Sequence, residues 1–269
     1  MLGRRKPVGN YASYFTYYRP PKNYLEIVNH GIAMAKESVV DFRRDYLGQK
    51  EIRLCRAYPF EEPKYSQEEV LELWANYLSK HDTKLRKVEV VDANQEVLDA
   101  LSRHKQIEQL EFIGGSFYDL KSLATLPNLK YLTFEDTSEN IDFSCLASVN
   151  TLKAIRAFAR VPLNYESISN LTQLEGLEIG AGIDFEFRGS IKVSNFDFLR
   201  PLVNLKKIWI GEVRPLDKDL TALLSLDSLE EGWYVTFRGQ FPSVGDMAKA
   251  HPAFKKVHET YLEIQSWDK

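Results

Sequence analysis

The sequence is poor in the residues that build metal sites, disulfide frameworks and nucleophilic centres. Its 269 residues include only two cysteines and five histidines. Cys55 and Cys145 lack a metal-ligand spacing, and two thiols are too few for a disulfide framework. The histidines lie far apart and follow no metal-binding motif. We therefore expect no metal, no cofactor and no catalytic site.

Long apolar runs are missing as well. No stretch of about 18 apolar residues occurs, which predicts that the chain has no membrane span. The N-terminal stretch MLGRRKPVGNYASYF has basic residues but no apolar core after them, so a secretory signal is not expected. Few cysteines and no export signal together favour a cytoplasmic location.

A six-residue phrase, apolar-x-x-apolar-x-apolar, recurs along the chain. It begins at Leu85, Ile107, Leu129, Leu152, Leu174, Leu205 and Leu229, at intervals of 22, 22, 23, 22, 31 and 24 residues. One residue separates the last two apolar positions of the phrase, which is the alternation of a short strand with one buried face. A near-constant period over this length is the signature of a solenoid.

The segments between the phrases have a different rhythm, with apolar residues at every third position. Before Leu129 these residues are Leu126, Leu123 and Leu120. A spacing of three suits a 3₁₀ turn or a very short helical turn. Each unit is therefore predicted to be a strand, a turn and a tight helical return, whose apolar sides become buried when the units stack.

These repeats resemble the leucine-rich repeat family, and their period is similar to that of its internalin-like class. The resemblance covers roughly residues 85–234, with LKYLTFEDTSENIDFSCLASVNTL as a typical repeat. It implies an α/β solenoid with a curved parallel sheet on the concave side and short helical or 3₁₀ returns on the convex side. The family usually has Asn or Cys shortly after the strand. Asn94 fits this place in the first copy, and later copies depart from it.

We divide the chain into an N-terminal region with a capping helix, residues 1–80, and the solenoid with a degenerate C-terminal cap, residues 81–269. Ser66 and Glu69 have capping-box spacing and introduce an amphipathic stretch that contains Trp74. This stretch is predicted to be a helix that covers the open end of the stack. At the C-terminal end, apolar residues at every third position predict one more degenerate unit: Val244, Met247 and Ala250, then Phe254 and Val257.

Charge is unevenly distributed along the chain. The first 22 residues carry five basic residues and no acidic one, and the net charge of the whole chain is −3, so the remainder carries −8. Basic residues interleaved with aromatics can bind a nucleic-acid backbone and its bases. The alternative is an arm whose aromatics pack onto the cap, and the acidic remainder favours it. Nucleic-acid binding is therefore not expected.

The outward-facing places of the strands are the candidate binding surface. Large aromatics and arginine at such places often dominate binding energy. The candidate partner-binding residues are Tyr131, Arg156, Phe158, Trp209 and Trp233. The alternative interpretation of the two tryptophans is that their rings fold over the C-terminal end of the stack as part of the cap.

The long interval between Leu174 and Leu205 suggests a second element of that surface. Alternating apolar residues on both sides of residues 188–190 predict a small β-hairpin that projects from the stack. Insertions in solenoids often lie on the binding face, so Arg188 is predicted to rim the site. A tolerated insertion packed on its neighbours is the alternative.

The sequence thus predicts a non-catalytic, monomeric module that binds a protein partner through its concave face. The family resemblance suggests a toxin, an enzyme or a host protein as the partner, and a cytoplasmic inhibitor or immunity protein as one concrete version. The alternative function is an enzyme or effector whose activity lies in residues 1–80, with the repeats recognising the substrate.

Overall fold

The computed structural model describes residues 48–54, 66–117, 119–137, 141–159, 163–181 and 190–267. Ten strands lie within these residues: β1 (Glu51–Leu54), β2 (Lys87–Asn94), β3 (Gln109–Ser116), β4 (Tyr131–Thr137), β5 (Ala154–Ala159), β6 (Gly176–Ala181), β7 (Ile191–Val193), β8 (Lys207–Ile210), β9 (Val213–Pro215) and β10 (Glu231–Tyr234). Eight of them form one parallel sheet in the order β1-β2-β3-β4-β5-β6-β8-β10. This confirms the prediction of a parallel sheet of at least seven strands.

The strand register aligns the repeated phrases place by place. The fourth places are paired across neighbouring strands in the series Val88, Leu110, Leu132, Ile155, Leu177, Ile208 and Gly232. Apart from the glycine, these side chains are all buried in one continuous apolar core. Each strand therefore contributes the same kind of side chain to the same layer, as the constant period requires.

Short helical segments return the chain from one strand to the next. The 3₁₀ returns are Lys121–Thr125, Ser144–Ser148, Tyr165–Asn170, Asp197–Leu199 and Thr221–Ser225. The first return is instead an α-helix, α2 (Gln95–Leu101), which Asn94 caps by accepting a hydrogen bond from the Val97 N–H at 3.0 Å. None of the helices in the described parts of the chain is both long and apolar enough to cross a bilayer.

The N-terminal end of the stack is covered by helix α1 (Gln67–Lys80), as predicted. Its capping box is formed: the Glu69 N–H donates to Ser66 Oγ at 3.1 Å, and the Ser66 N–H donates to the Glu69 carboxylate at 2.7 Å. The helix packs against α2 and β2, and Trp74 is fully buried between the helix and the core. The predicted end cap is therefore confirmed.

A buried histidine joins this cap to the first repeats. His104 Nε2 lies 3.1 Å from the Leu78 carbonyl oxygen, and Nδ1 lies 3.1 Å from Thr83 Oγ1. Since the carbonyl can only accept, Nε2 carries the proton and Nδ1 accepts from the threonine hydroxyl. Burial lowers the pKa of His104, which keeps the ring neutral in this arrangement.

The chain before this helix also contributes to the sheet. β1 pairs in parallel with β2, and its Ile52 and Leu54 are buried in the core. The division of the chain at residue 80 stays a prediction.

The C-terminal end differs from the predicted extra repeat. Val244–Ala250 forms helix α3, and Lys255–Trp267 forms helix α4 after a 3₁₀ turn at Pro252–Phe254. The prediction of a degenerate unit was wrong for Phe254 and Val257, which lie in this turn and in α4 rather than in a strand. Helices end the stack here because they cover the core beside β10 with backbone hydrogen bonds satisfied internally.

Gly232 holds the place where the other repeats have a large apolar side chain. A Cβ atom there would lie 2.3 Å from Cε1 of Phe254, whose ring is fully buried. The ring therefore occupies the space that a side chain at residue 232 would fill. The last copy of the phrase therefore forms the surface on which the C-terminal cap packs.

Replacing Gly232 with alanine is expected to lower the free energy of unfolding by about 1–3 kcal/mol, because the new methyl group overpacks a full site. Urea unfolding of the two proteins measures the difference. Gly245→Ala is the matched control: its Cβ would meet nothing closer than 3.6 Å, and alanine favours the helix in which it lies. Equal stability of Gly232→Ala and the unmodified chain would contradict this account of the cap.

The insertion between Leu174 and Leu205 is only partly visible. Residues 182–189, including Arg188, lie outside the described residues, so the projecting hairpin stays a prediction. Its second half, Ile191–Val193, pairs in parallel with Val213–Pro215 in a separate two-stranded sheet. Ile191 and Val193 are buried, so this half packs on the body of the protein.

Candidate functional site

The sheet face opposite the apolar core carries a row of polar side chains, one from each successive strand. This polar ladder consists of Arg53, Glu89, Glu111, Thr133, Arg156 and Glu178, which are paired in register across β1 to β6. Adjacent strands lie about 4.8 Å apart, so each side chain is a direct neighbour of the next. The ladder therefore places six hydrogen-bonding groups, five of them ionisable, in one line.

Arg156 forms two ion pairs and one cation–π contact. Its Nε lies 2.5 Å from Glu178 Oε2, and its Nη1 lies 3.3 Å from Glu135 Oε1 on the neighbouring strand. The guanidinium carbon is also 5.6 Å from the centroid of the Phe158 ring. Burial alone would lower the pKa of Arg156, but the surrounding carboxylates raise it above its ordinary value. The side chain is therefore charged and fixed in position.

Glu111, unlike Arg156, lacks an oppositely charged partner among the described residues. Its flanking ladder members are Glu89, which forms an ion pair with Arg53, and the uncharged Thr133. Glu111 itself forms no ion pair with any described residue, although only 5% of its surface is exposed. Burial, then the like charges of Glu89 and Glu135, raise the pKa of Glu111 from 4.5 to about 7.

A second acceptor without a donor lies on the same strand. Gln109 precedes Glu111 by two residues, so both side chains are on the same face of β3. Gln109 is almost completely buried, and its side-chain oxygen has no hydrogen-bond partner within the described structure. Buried acceptors of this kind ordinarily have donors. Among the described residues, neither of these two acceptor groups of β3 has a hydrogen-bond donor.

Further along the sheet, two aromatic rings lie over glycines and form what we call the aromatic shelf, made of Phe158, Gly180, Trp209 and Gly211. The rings of Phe158 and Trp209 meet edge to face, with centroids 5.4 Å apart and an interplanar angle of 85°. A Cβ atom at Gly180 would lie 2.5 Å from the Phe158 ring, and one at Gly211 would lie 2.5 Å from the Trp209 ring. Both rings therefore rest on bare backbone.

The structure brings three of the predicted site residues into one cluster: Arg156, Phe158 and Trp209. Tyr131 lies on β4 beside Gln109 and is partly exposed. Trp233 is in register with Trp209 on the last strand and packs partly against the core. Arg188 lies outside the described residues. Both the binding and the capping interpretations of Trp233 therefore stay predictions.

The predicted exposure of this face was wrong at several places. Glu89, Glu111, Thr133 and Glu178 are each 5% exposed or less, and Phe158 is 8% exposed. The cause for Phe158 is its ring, which lies over Gly180 and against Trp209 rather than standing up into solvent. Strand alternation tells which face a residue is on, but it does not tell whether that face is covered.

Most members of the polar ladder were not selected from the sequence, and neither were Gln109, Gly180 and Gly211. Glutamate at the fifth place of three phrases and glycine at the seventh place of two consecutive ones were visible signals. An acid that recurs at one place of a repeat must lie beside its copies in a solenoid. No group of His, Cys, Asp or Glu within the described ranges is arranged to hold a metal ion.

The parallel sheet, with strands that alternate with short helical returns, gives this protein a solenoid fold similar to that of leucine-rich repeat proteins. Among solved structures, it is similar to an internalin of Listeria monocytogenes, with 13% identity and a TM-score of 0.42 over 70% of this chain and 49% of that one. It is also similar to internalin C2 of the same species, with 18% identity and a TM-score of 0.39 over 63% and 69%. A leucine-rich repeat protein of Leptospira interrogans has 10% identity and a TM-score of 0.38 over 74% and 58%.

This chain spans about half the length of the first of those internalins. No protein-family model matches the sequence, and no curated protein matches it. The likenesses concern the fold alone, and the site is described by this chain's own residues.

Proposed function

We propose that this protein is a non-catalytic interaction module that binds a protein partner on the face formed by the polar ladder and the aromatic shelf. Solenoids of this kind generally offer one long surface to a partner. The observation that carries the proposal is the aromatic shelf. Its tryptophan is half-buried, fixed by a ring contact, and still partly open to solvent.

The geometry of the shelf suits protein recognition for an energetic reason. Phe158 holds the Trp209 ring edge to face, and Gly180 and Gly211 leave no side chain to compete for the same space. A ring that is already ordered loses little entropy on binding. Tryptophan and arginine are also the residues that most often dominate interface energies, and Arg156 contacts the shelf.

The first test replaces Trp209 with alanine. We expect this change to weaken partner binding by about 2 kcal/mol or more, as truncation of an interface anchor does. Trp233→Ala is expected to weaken binding as well. The partner is first isolated by affinity purification from the native cell with mass spectrometry, and its affinity for each variant is then measured by calorimetry.

Phe241→Ala is the control for these variants, because Phe241 is a highly exposed aromatic outside the sheet face. It should bind the partner normally. Normal binding by both tryptophan variants would show that the sheet face is not the interface. A large fall in melting temperature for both variants would assign the rings to the C-terminal cap instead.

A cytoplasmic inhibitor or immunity protein is the concrete version of this function that we propose, with fractionation of native cells as the test of location. The alternative, an enzyme or effector activity in residues 1–80, concerns mainly residues outside the described ranges and stays a prediction. A catalytic assay on the full chain with and without its isolated partner would test it.

A further inference from the structure

In the polar ladder, two glutamates are paired with arginines and a third glutamate has no such pair among the described residues. Glu89 is paired with Arg53, and Glu178 is paired with Arg156. Glu111, which lies between these pairs, has acids on both sides and no cation of its own among the described residues. A cation supplied from elsewhere would complete the arrangement.

We propose that the protein partner presents an arginine side chain that enters the polar ladder at Glu111 and bonds both Glu111 and Gln109. This inference rests on the proposed function and adds the chemistry of the partner. It is supported by two independent observations within the described ranges: Glu111 has no ion pair there, and the buried side-chain oxygen of Gln109 has no donor there.

The two acceptors together favour arginine over lysine. Residues two apart on a strand are about 7 Å apart, so a compact ammonium group is close to one acceptor at a time. A guanidinium carries five N–H donors in a planar fork and can donate to a carboxylate with one edge and to an amide oxygen with another. It also remains charged across the pH range of the test below.

The depth of the site favours a long side chain. Glu111 is 5% exposed and Gln109 is 3% exposed, so a ligand must reach acceptors that are recessed from the surface. Arginine has a slender aliphatic stem that can lie along partly apolar walls while its head reaches a recessed acid. Tyr131, in register with Gln109 on the next strand, offers such a wall.

The same partner can occupy the ladder and the shelf at once. Trp209 is on β8, four strands along the sheet from β3, which corresponds to about 19 Å at the usual strand spacing. That separation lies well within a protein interface of ordinary size. An arginine at Glu111 and an apolar group at Trp209 would therefore be two anchors of one interface.

The direct test uses N-acetyl-arginine amide with the full-length chain, and N-acetyl-citrulline amide as its neutral counterpart. Binding is followed through the carboxyl carbon signal of Glu111 in the labelled protein. We expect the arginine amide to shift this signal and the citrulline amide to leave it unchanged. Glu111→Gln should weaken binding at least about tenfold, whereas Glu230→Gln, at an exposed acid, should not change it.

Binding should also depend on pH, because the proton on Glu111 competes with the guanidinium. Glu111 faces Arg53 and Glu89 on one side and Glu135 and Arg156 on the other, and these groups together leave its pKa at about 7. Affinity for the arginine amide is therefore expected to be about tenfold higher at pH 8 than at pH 6. The Glu111→Gln variant should lose this dependence.

Three results would overturn the inference. The arginine amide could leave the Glu111 signal unchanged, or it could bind Glu111→Gln as well as the unmodified chain. The Glu111 signal could also respond only after the five basic residues of the N-terminal arm, Arg4, Arg5, Lys6, Arg19 and Lys22, are replaced by glutamine. That last outcome would identify the arm, and not a partner, as the occupant of the site.

The isolated partner separates this inference from the proposed function. If Trp209→Ala loses the partner and Glu111→Gln retains it at full affinity, the sheet face is the interface and the arginine contact is wrong. If both variants bind normally, the proposed function itself is wrong. Loss of binding in both variants, with Phe241→Ala unaffected, supports both.

Discussion

Replacing Glu111 with glutamine is expected to raise the free energy of unfolding by about 3 kcal/mol at pH 8, and to change it little at pH 4. The folded environment raises the pKa of this carboxyl from 4.5 to about 7. Between these values the folded chain binds a proton that the unfolded chain does not, so stability falls as the pH rises from 4.5 to 7 and is constant above it. Glutamine carries no charge, so the variant does not lose stability through this residue as the pH rises.

Urea unfolding across this pH range measures the effect. The stability difference between Glu111→Gln and the unmodified chain should grow from pH 4.5 to pH 7 and then become constant. Glu230→Gln is the control, because Glu230 is exposed and surface charges contribute little to stability. A Glu111→Gln variant that is less stable than the unmodified chain at pH 8 would show that the carboxylate has a strong partner in the free protein.

Replacing Trp74 with alanine is expected to lower the free energy of unfolding by about 3–5 kcal/mol, as truncations of large buried aromatics do. Its side chain is fully buried, and its ring contacts the Tyr77 ring edge to face, with centroids 5.8 Å apart. The cost combines the lost burial with the cavity left under α1. Chemical denaturation followed by circular dichroism measures it.

The matched control for this change is again Phe241→Ala, since Phe241 is 64% exposed and should contribute little to stability. A loss below about 1 kcal/mol for Trp74→Ala would show that α1 is peripheral, because full burial in a packed core does not allow so small a cost. A loss of β1 pairing in hydrogen exchange would indicate in addition that the cap and the first strand unfold together.

The repeating part of the fold could be predicted from the sequence because each repeat obeys the same local rules. Leu110 and Leu132 hold the same place of the phrase, and they are paired in the sheet. The capping box at Ser66 was equally visible, since it depends on residues three apart. These features are local in sequence, so their spacing alone determines them.

The candidate site was predicted less well because it depends on contacts that do not repeat. Arg156 and Phe158 were selected for their side-chain type, but the reason Phe158 is buried is the absence of a side chain at Gly180. The role of Gly232 likewise depends on Phe254, which lies in the turn before α4. The spacing of apolar residues in the sequence does not show which side chain occupies the space above a glycine.

The parallel register determines how the binding surface changes when a repeat is gained or lost. Each repeat adds one strand, so the distance between the recessed acid on β3 and the ring on β8 is a whole number of strand spacings. Gain or loss of one repeat between them would move the two groups by about 4.8 Å while leaving each one's immediate neighbours intact. The number of repeats between the acid and the ring thus sets the distance between the two groups that a partner must contact. This distance does not depend on which residues make the contacts.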